Sequence, residues 1–569
     1  MKRFRQLTDY IKQNTATVLL WLLPAVLLVP NLLLTLTESN YSIWAHLTNL
    51  LLPAGIYTLL AASSRNIGRT TLFFFPVFLL CGFQIVLIYL YGESIIAIDM
   101  FLNVVTSNVK EATELLGNLW IAVLWVCVLY IPPIALAITV LSQKNRTPRK
   151  PRKIALVSGL SATLLGIVCL IPCYMYIRNY TPLRYVFPAN VISNIVSAIN
   201  RTIATSNYQQ TASTFSFHVT STHPDSTKEV YVLVIGETGR ADNWELFGYD
   251  RPTNPALSAR KNLTVFPKTL SESNTTHKSV PLMLTHLGAE TFGDSIFQVR
   301  GLVKAFDEAG FTTAWISNQQ RNHSLIDNFA REAKHIDYIL DDGQTHYDME
   351  LVDRMNRLLD SDKSDKWFIV LHSYGSHFNY RERYPEDFKV FTPEGVSTAS
   401  VDNRKNLLNA YDNTIVYTDS FIDSVIASLE RLDIPTAVLY LSDHGEDIFD
   451  DERERFLHSS PTPTYWQIHV PFAVWMSEGY ESCYPLKSRA VTANKDRNVS
   501  SSRSVFHTMM DLAGIISPKF DRNASVVNDA YREPRRLYLN DYNEAVELVN
   551  CGLRPNDISQ LSKREISRD

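Results

Sequence analysis

Five blocks of nearly unbroken apolar sequence lie in the first third of the chain, at 17–37, 43–62, 72–91, 119–141 and 154–173. A helix needs about 20 apolar residues to cross the hydrocarbon core of a bilayer. Each block therefore predicts one membrane span. Pro24, Pro30, Pro132 and Pro133 fall inside them, and proline bends a membrane helix without excluding it. A cleaved signal peptide is the alternative for the first block. Its apolar core is too long for that, no small-residue cleavage site follows, and four more blocks come later.

The positive charges fix an orientation. Lys2, Arg3, Arg5 and Lys12 precede the first block, Arg65 and Arg69 lie between the second and third, and Lys144, Arg146, Arg149, Lys150, Arg152 and Lys153 lie between the fourth and fifth. The other connections carry almost none; 92–117 holds Glu93, Asp99, Glu111 and Glu114 against Lys110. Positive loops stay on the cytoplasmic side, so the N-terminus is expected inside and everything after Cys173 outside. This also accounts for the basic run 143–153 without invoking nucleic acid. With 54 Lys and Arg against 58 Asp and Glu, the net charge of −4 shows no global basic excess. Six Cys in 569 residues exclude a disulfide-dense scaffold and a Cys-rich zinc module.

Three regions follow: a transmembrane domain at 1–173, a connector at 174–228 and a soluble domain at 229–569. Val191, Ile192, Ile195, Val196 and Ile199 recur at helical spacing, which predicts an amphipathic helix on the membrane surface within 182–205. The Ser/Thr-rich stretch 211–228 reads as a flexible linker, and the charged tail after Gly552 as poorly ordered. From residue 229, β-branched apolar runs at 230–235, 312–316, 367–371, 437–441 and 470–475 read as buried parallel strands. Between them, 301–309, 350–359 and 404–432 read as helices. The expected fold class is α/β, a sheet with helices on both faces.

In open α/β sheets, ligands bind beyond the carboxyl ends of the strands. Glu237 follows the first strand, His372 and then His377 follow the third, and Asp443, His444 and Glu446 follow the fourth. Taken singly, each has a bland reading: a solvated turn residue, a surface imidazole, an Asp capping a helix. Their convergence on one edge points to a metal. Zinc takes His nitrogens and carboxylate oxygens in four-coordinate sites, and Glu237, Asp443 and His444 supply three ligands. The polar run 273–281 then turns apolar, like a helix start. A hydroxyl there gains from the helix dipole and free N–H groups, and zinc activates a hydroxyl at neutral pH. Either Thr275 or Thr276 also fits as a plain helix cap, and Asn274-Thr275-Thr276 matches a glycosylation sequon.

These segments together resemble the phosphoethanolamine transferases of Gram-negative inner membranes, within the alkaline-phosphatase/sulfatase superfamily. The resemblance rests on 232–255 with its GETGR, TTHKSVPLM at 275–283, VLHSYGSHFNYRERYP at 370–385, NAYDNTIVYTDSFID at 409–423 and LSDHGED at 441–447, and extends over essentially the whole chain. It implies a five-helix membrane domain ahead of a periplasmic sulfatase-like domain in the bacterial inner membrane. It assigns Glu237, Asp443, His444 and Thr276 to a tightly held zinc, with Thr276 as nucleophile. It puts His377 and His458 beside the substrate head group, where they assist proton transfer and hold a second zinc. It lines the pocket with Asn318, Gln319, His372 and Glu446. The implied donor is phosphatidylethanolamine, the acceptor lipid A phosphate or a core glycolipid, and the protein a monomer that binds membrane and no nucleic acid. Glu272 and Leu282 stand where relatives often place a cystine, and outside the membrane only Cys483 and Cys551 remain, enough for one bridge. The alternatives are a manganese-dependent phosphoglycerol transferase of the lipoteichoic-acid type and an inactive membrane sensor. A sulfatase is disfavoured, since no Cys-x-Pro-x-Arg motif occurs.

Overall fold

The computed structural model describes residues 14–38, 41–92, 95–106, 119–177, 179–342, 344, 346–395 and 399–568. The basic residues before position 13 and half of the acidic connection 92–117 lie outside these. The chain divides into two compact units, one built on the N-terminal helices and reaching Ile199, the other containing Asn200–Asp569.

In the first unit, α1 (Thr15–Leu27) and α2 (Val29–Thr37) form one apolar rod, followed by α3 (Ile43–Ser63), α4 (Ile67–Phe73), α5 (Phe75–Tyr91), α6 (Trp120–Ser142) and α7 (Arg149–Tyr176). Among the described residues, four rods are long and apolar enough to span a membrane, and α4 with α5 makes a fifth when the bent pair counts as one span. The third apolar block is thus longer than its sequence suggests and bends by 53°. Pro76, in the first turn of α5, lacks the N–H and crowds the preceding turn, which breaks the helix there. Helices α3 and α7 pack closely because a Cβ on Gly55 would lie 2.3 Å from Thr163 Oγ1 and one on Gly166 2.8 Å from the Leu52 backbone. Small residues at such contacts let membrane helices approach where no hydrophobic drive exists. The connector helix α8 (Ala189–Thr211) keeps Ile192, Val196, Ile199 and Ile203 exposed on one stripe.

The second unit is built on a seven-stranded sheet. Its strands are β1 (Glu229–Gly236), β2 (Leu263–Val265), β3 (Thr312–Ser317), β4 (His335–Tyr338), β5 (Lys366–His372), β6 (Thr436–Ser442) and β7 (Phe472–Met476), in the order β2-β7-β6-β1-β5-β3-β4. Strands β6, β1, β5, β3 and β4 are parallel. Alternate residues feed two cores: Tyr231, Leu233 and Ile235 pack on one face, Val230, Val232 and Val234 on the other. The first core is covered by α9 (Thr276–Leu284), α10 (Leu302–Glu308) and α13 (Ser501–Leu512), the second by α11 (Met349–Ser361) and α12 (Arg404–Glu430).

Three expectations change. Strand β7 runs antiparallel to β6. A strand buried on both faces reads as an apolar run in either direction, and the chain from β6 returns without the crossover helix that a parallel neighbour needs. The 211–228 stretch is anchored: Phe217 is fully buried, Thr220–Ser221 pairs with Ile515–Ile516, and Glu308 accepts from the Phe217 and His218 amides. The tail after Gly552 carries α14 (Pro555–Lys563), whose Leu561 is buried and whose Asp557 takes two hydrogen bonds from Arg453. Cys483 and Cys551 are free thiols.

Glu332 illustrates how α8 is tied to the sheet. Its carboxylate accepts from the Gly301 amide at the start of α10 and from Tyr208 Oη on α8. Burial pushes its carboxyl up from the ordinary 4.5 to about 7, an effect the Gly301 amide, Tyr208, Arg300 and the Lys304 amide offset only in part. A raised carboxyl favours folding below its unfolded value and loses that contribution as pH rises through the folded one. Stability should therefore fall by about 3 kcal/mol between pH 4.5 and pH 8 on this account. Thermal melts of the full-length protein across that range should show the decline, and Glu332→Gln should make it smaller, leaving the share of Glu272 and Asp447, which burial also raises to about 7.

Candidate active site

The parallel register puts Gly236 opposite Ser442 and Ile235 opposite His372. Glu237, Asp443 and Ser373 thus leave three neighbouring strands at one level of one edge. Glu237 is 3% exposed, and Asp443 and His444 are fully buried. The turn after β5 closes on Glu237 through Gly375, whose φ is +53° and where a Cβ would lie 2.6 Å from the Glu237 carbonyl oxygen. Only glycine combines that conformation with that approach.

Thr276 is the first residue of α9, and it brings its hydroxyl to this edge. Its Oγ1 lies 3.2 and 3.4 Å from the two Glu237 carboxylate oxygens and 3.1 Å from His444 Nε2. Thr275 occupies the cap position but makes no side-chain cap bond; its hydroxyl pairs with Ser273 Oγ at 3.1 Å. His444 Nδ1 sits 2.8 Å from the Gly445 carbonyl, which takes the ring proton and leaves Nε2 as a lone pair facing the cluster. Asp443 Oδ1 accepts from the amides of Thr238 (3.1 Å) and His444 (2.7 Å). Its Oδ2 is buried with no hydrogen-bond partner and lies 3.2 Å from His444 Nε2.

The electrostatics call for a cation. Burial alone would raise the Glu237 carboxyl, but the His444 and His377 rings hold it below its ordinary value. Burial and then the Glu237 charge push Asp443 well above its own. Two carboxylates in one buried site cannot both ionise cheaply. Burial also lowers His444 against the opposing pull of the Glu237 charge, which favours the neutral form of the ring that binds metal. Two carboxylates, one imidazole and one hydroxyl form a donor set that suits zinc, and the orphaned Asp443 Oδ2 is the atom such an ion would satisfy.

The other expected residues divide between the site and its supports. Glu237, His444 and His458 offer ligand atoms within 4.8 Å of one another, so His458 joins the strand-edge cluster as a further candidate ligand. Its ring centroid is 4.1 Å from that of His444 and 6.1 Å from that of His377. His377 turns Nδ1 to the Phe378 carbonyl at 2.6 Å and stacks on Tyr374. Glu446 accepts from Tyr380 Oη and places Oε2 3.6 Å from His458 Nδ1. Gln319 donates to Glu237 Oε2 at 3.1 Å and to the Ser373 carbonyl at 2.9 Å, which orients the carboxylate. Asn318 points its amide to Asp348, which accepts from the Tyr374 and Gly375 amides. His372 is buried against Trp315, 3.3 Å from Ser317 Oγ, and burial pushes it down to about 4. Asp348 and Tyr374 were not among the expected residues. Tyr374 lies inside the 370–385 segment, whereas Asp348 reaches that segment from the start of α11 and left no signal in the sequence.

The sulfatase family model matches residues 229–515, and the model for phosphoethanolamine transferase EptA/EptB matches 55–203. The Kdo(2)-lipid A phosphoethanolamine 7''-transferase of Escherichia coli K12 is 32% identical over 309 residues, covering 52% of this chain and 53% of that protein. The chain thus matches about half the length of such curated relatives. The C-terminal periplasmic domain of EptC from Escherichia coli, in complex with Zn, superposes with a TM-score of 0.52 at 27% identity over 58% of this chain and 95% of that one. The integral membrane lipooligosaccharide phosphoethanolamine transferase A of Neisseria meningitidis superposes with a TM-score of 0.71 over 90% of this chain and 99% of that one. At 23% identity this second likeness speaks for the fold. Membrane helices matched by one model and a strand-edge cluster inside the other give one conclusion: the chain belongs to the phosphoethanolamine transferase family.

Proposed function

We propose that the protein transfers phosphoethanolamine from phosphatidylethanolamine to a phosphate of lipid A, or to a core glycolipid, through a covalent intermediate on Thr276. The observation that carries this reading is the Thr276 hydroxyl, held within 3.4 Å of both Glu237 oxygens and 3.1 Å from His444 Nε2. The relatives' names support phosphoethanolamine over phosphoglycerol. Glu237, Thr276, Asp443 and His444 would hold a zinc ion, with His458 and His377 placed for a second. Bound zinc supplies Lewis acidity, lowering the pKa of a hydroxyl and offsetting charge on phosphoryl oxygens.

Thr276 loses its proton to Glu237, the acceptor of its hydrogen bond, and its oxygen attacks the donor phosphorus. The bond from phosphorus to the glycerol oxygen breaks, and diacylglycerol leaves with the proton that Glu237 had taken. The N-terminal amides of α9 face the developing negative charge. An acceptor oxygen then attacks the phosphothreonine, His377 or His458 takes its proton, the bond from phosphorus to Thr276 Oγ1 breaks, and that proton passes on to restore the Thr276 hydroxyl. Both substrates are lipids. A catalytic unit tethered to the periplasmic face of the inner membrane, with the N-terminus in the cytoplasm, meets them where they reside. The exposed Ile192, Val196, Ile199 and Ile203 stripe of α8 suits contact with that membrane. We read the enzyme as a monomer.

The decisive experiment is mass spectrometry of lipid A from cells with and without the gene. A mass increment of one phosphoethanolamine is expected; no increment on lipid A, core sugar or glycan overturns the reading. Thr276→Ala should abolish transfer while the purified protein retains its zinc, and full activity in that variant removes Thr276 as nucleophile. Glu237→Ala and Asp443→Ala should each lower bound zinc by about tenfold or more, measured by elemental analysis; unchanged content takes them out of the ligand set.

A further inference from the structure

His458 stands on a turn that its own backbone does not favour. Leu457 and Ser459, on either side of it, have φ of 70° and 62°. Residues other than glycine persist in that region only where their surroundings enforce it. The adjoining strands Asp447–Ile448 and Phe456–Leu457 are two residues each, too short to enforce it.

Two buried amide side chains grip the turn from both sides. Gln467 Nε2 donates to the Leu457 carbonyl at 3.2 Å and to Asp447 Oδ2 at 2.8 Å. Asn274 Nδ2 donates to the Ser460 carbonyl at 2.9 Å, and the Asn274 carbonyl accepts from the Ser459 amide at 3.2 Å. The two amides are joined to each other, Asn274 Nδ2 to Gln467 Oε1, at 2.6 Å. Tyr538 Oη donates to Asn274 Oδ1 at 2.7 Å, which sets the amide's direction. Asn274 is 3% exposed, so its sequon is not open to a glycan; the side chain is used internally.

Asn274 lies two residues before Thr276, and Asp447 lies three residues after His444. We infer that Asn274 and Gln467 are positioning residues that couple the Thr276 turn to the His458 turn and so set the imidazole's place over the nucleophile. This rests on the roles given above to Thr276 and His458. Loss of a donor on either amide frees the turn to relax toward ordinary backbone angles, and His458 moves off its station while Glu237, Asp443 and His444 stay in place.

The test is a double-mutant cycle on the full-length enzyme, with phosphatidylethanolamine as donor and lipid A as acceptor. Asn274→Asp keeps the shape and the acceptor for Tyr538 but removes both donated bonds. Gln467→Glu does the same on the other side and serves if the first variant folds poorly. Each should lower kcat about tenfold or more with bound zinc unchanged. In a His458→Gln background, neither should lower the residual rate further, because non-additivity marks residues that act as a unit. Wild-type kcat in both variants, or an equal further loss in the His458→Gln background, overturns the inference. Activity surviving in Thr276→Ala would instead overturn the functional reading, so the two failures are distinguishable.

Discussion

Two carboxylates, Glu237 and Asp443, leave neighbouring parallel strands at one level and are both buried. Their mutual repulsion in a place that water does not screen is the constraint around which the soluble unit is arranged. The neighbours respond to it. Backbone amides of Thr238 and His444 take one Asp443 oxygen, Gln319 takes one Glu237 oxygen, and the Thr276 hydroxyl and His444 Nε2 face the remainder. The amides, Gln319 and the hydroxyl are neutral donors, and the His444 lone pair donates nothing, so together they hold the geometry but do not cancel the charge. A divalent cation would, and in the proposed reaction it would also lower the pKa of the threonine hydroxyl. Structural need and proposed chemistry thus coincide at one position.

The scaffold around this point works by layers. The strand ends supply the proposed ligands with little freedom, since each follows a fully buried, paired strand. The two histidines proposed to meet the head group stand on turns, which are less determined: His377 depends on Tyr374 and the amides held by Asp348, and His458 on Asn274 and Gln467. Rigid strands for charge and braced turns for the proposed proton transfer make a reasonable division. Charge placement tolerates little error, whereas proton transfer needs a group that can change its state.

Much of the chemistry was legible before any tertiary contact was known. The alternation of apolar runs and helical stretches located the strands, and the rule that ligands gather beyond carboxyl ends picked Glu237, Asp443 and His444 from dozens of polar residues. What escaped has physical reasons. β2 and β4 are short edge strands with half-exposed residues, so their pattern is weak. The direction of β7 leaves no trace in an apolar run. The 211–228 stretch looked flexible because its composition is polar, yet Phe215 and Phe217 carry enough apolar surface to anchor it. The tail reads as loose because the partners of its charges are remote in sequence: Arg453 pairs with Asp557, and Asp242 with Arg564.

By itself, the sequence determined that the chain enters a membrane, that an α/β unit follows, and that carboxylates, imidazoles and a threonine hydroxyl converge on one sheet edge. These follow from hydropathy and from residue period, which are local properties. Only the tertiary structure decided which of two threonines faces the carboxylates, that His458 lies as near the cluster as the ligands do, and that Asn274 is a buried clamp. Those outcomes depend on hydrogen bonds between residues roughly 10 to 260 positions apart, and the direction of a side chain at such separations is set by packing, which no local pattern encodes.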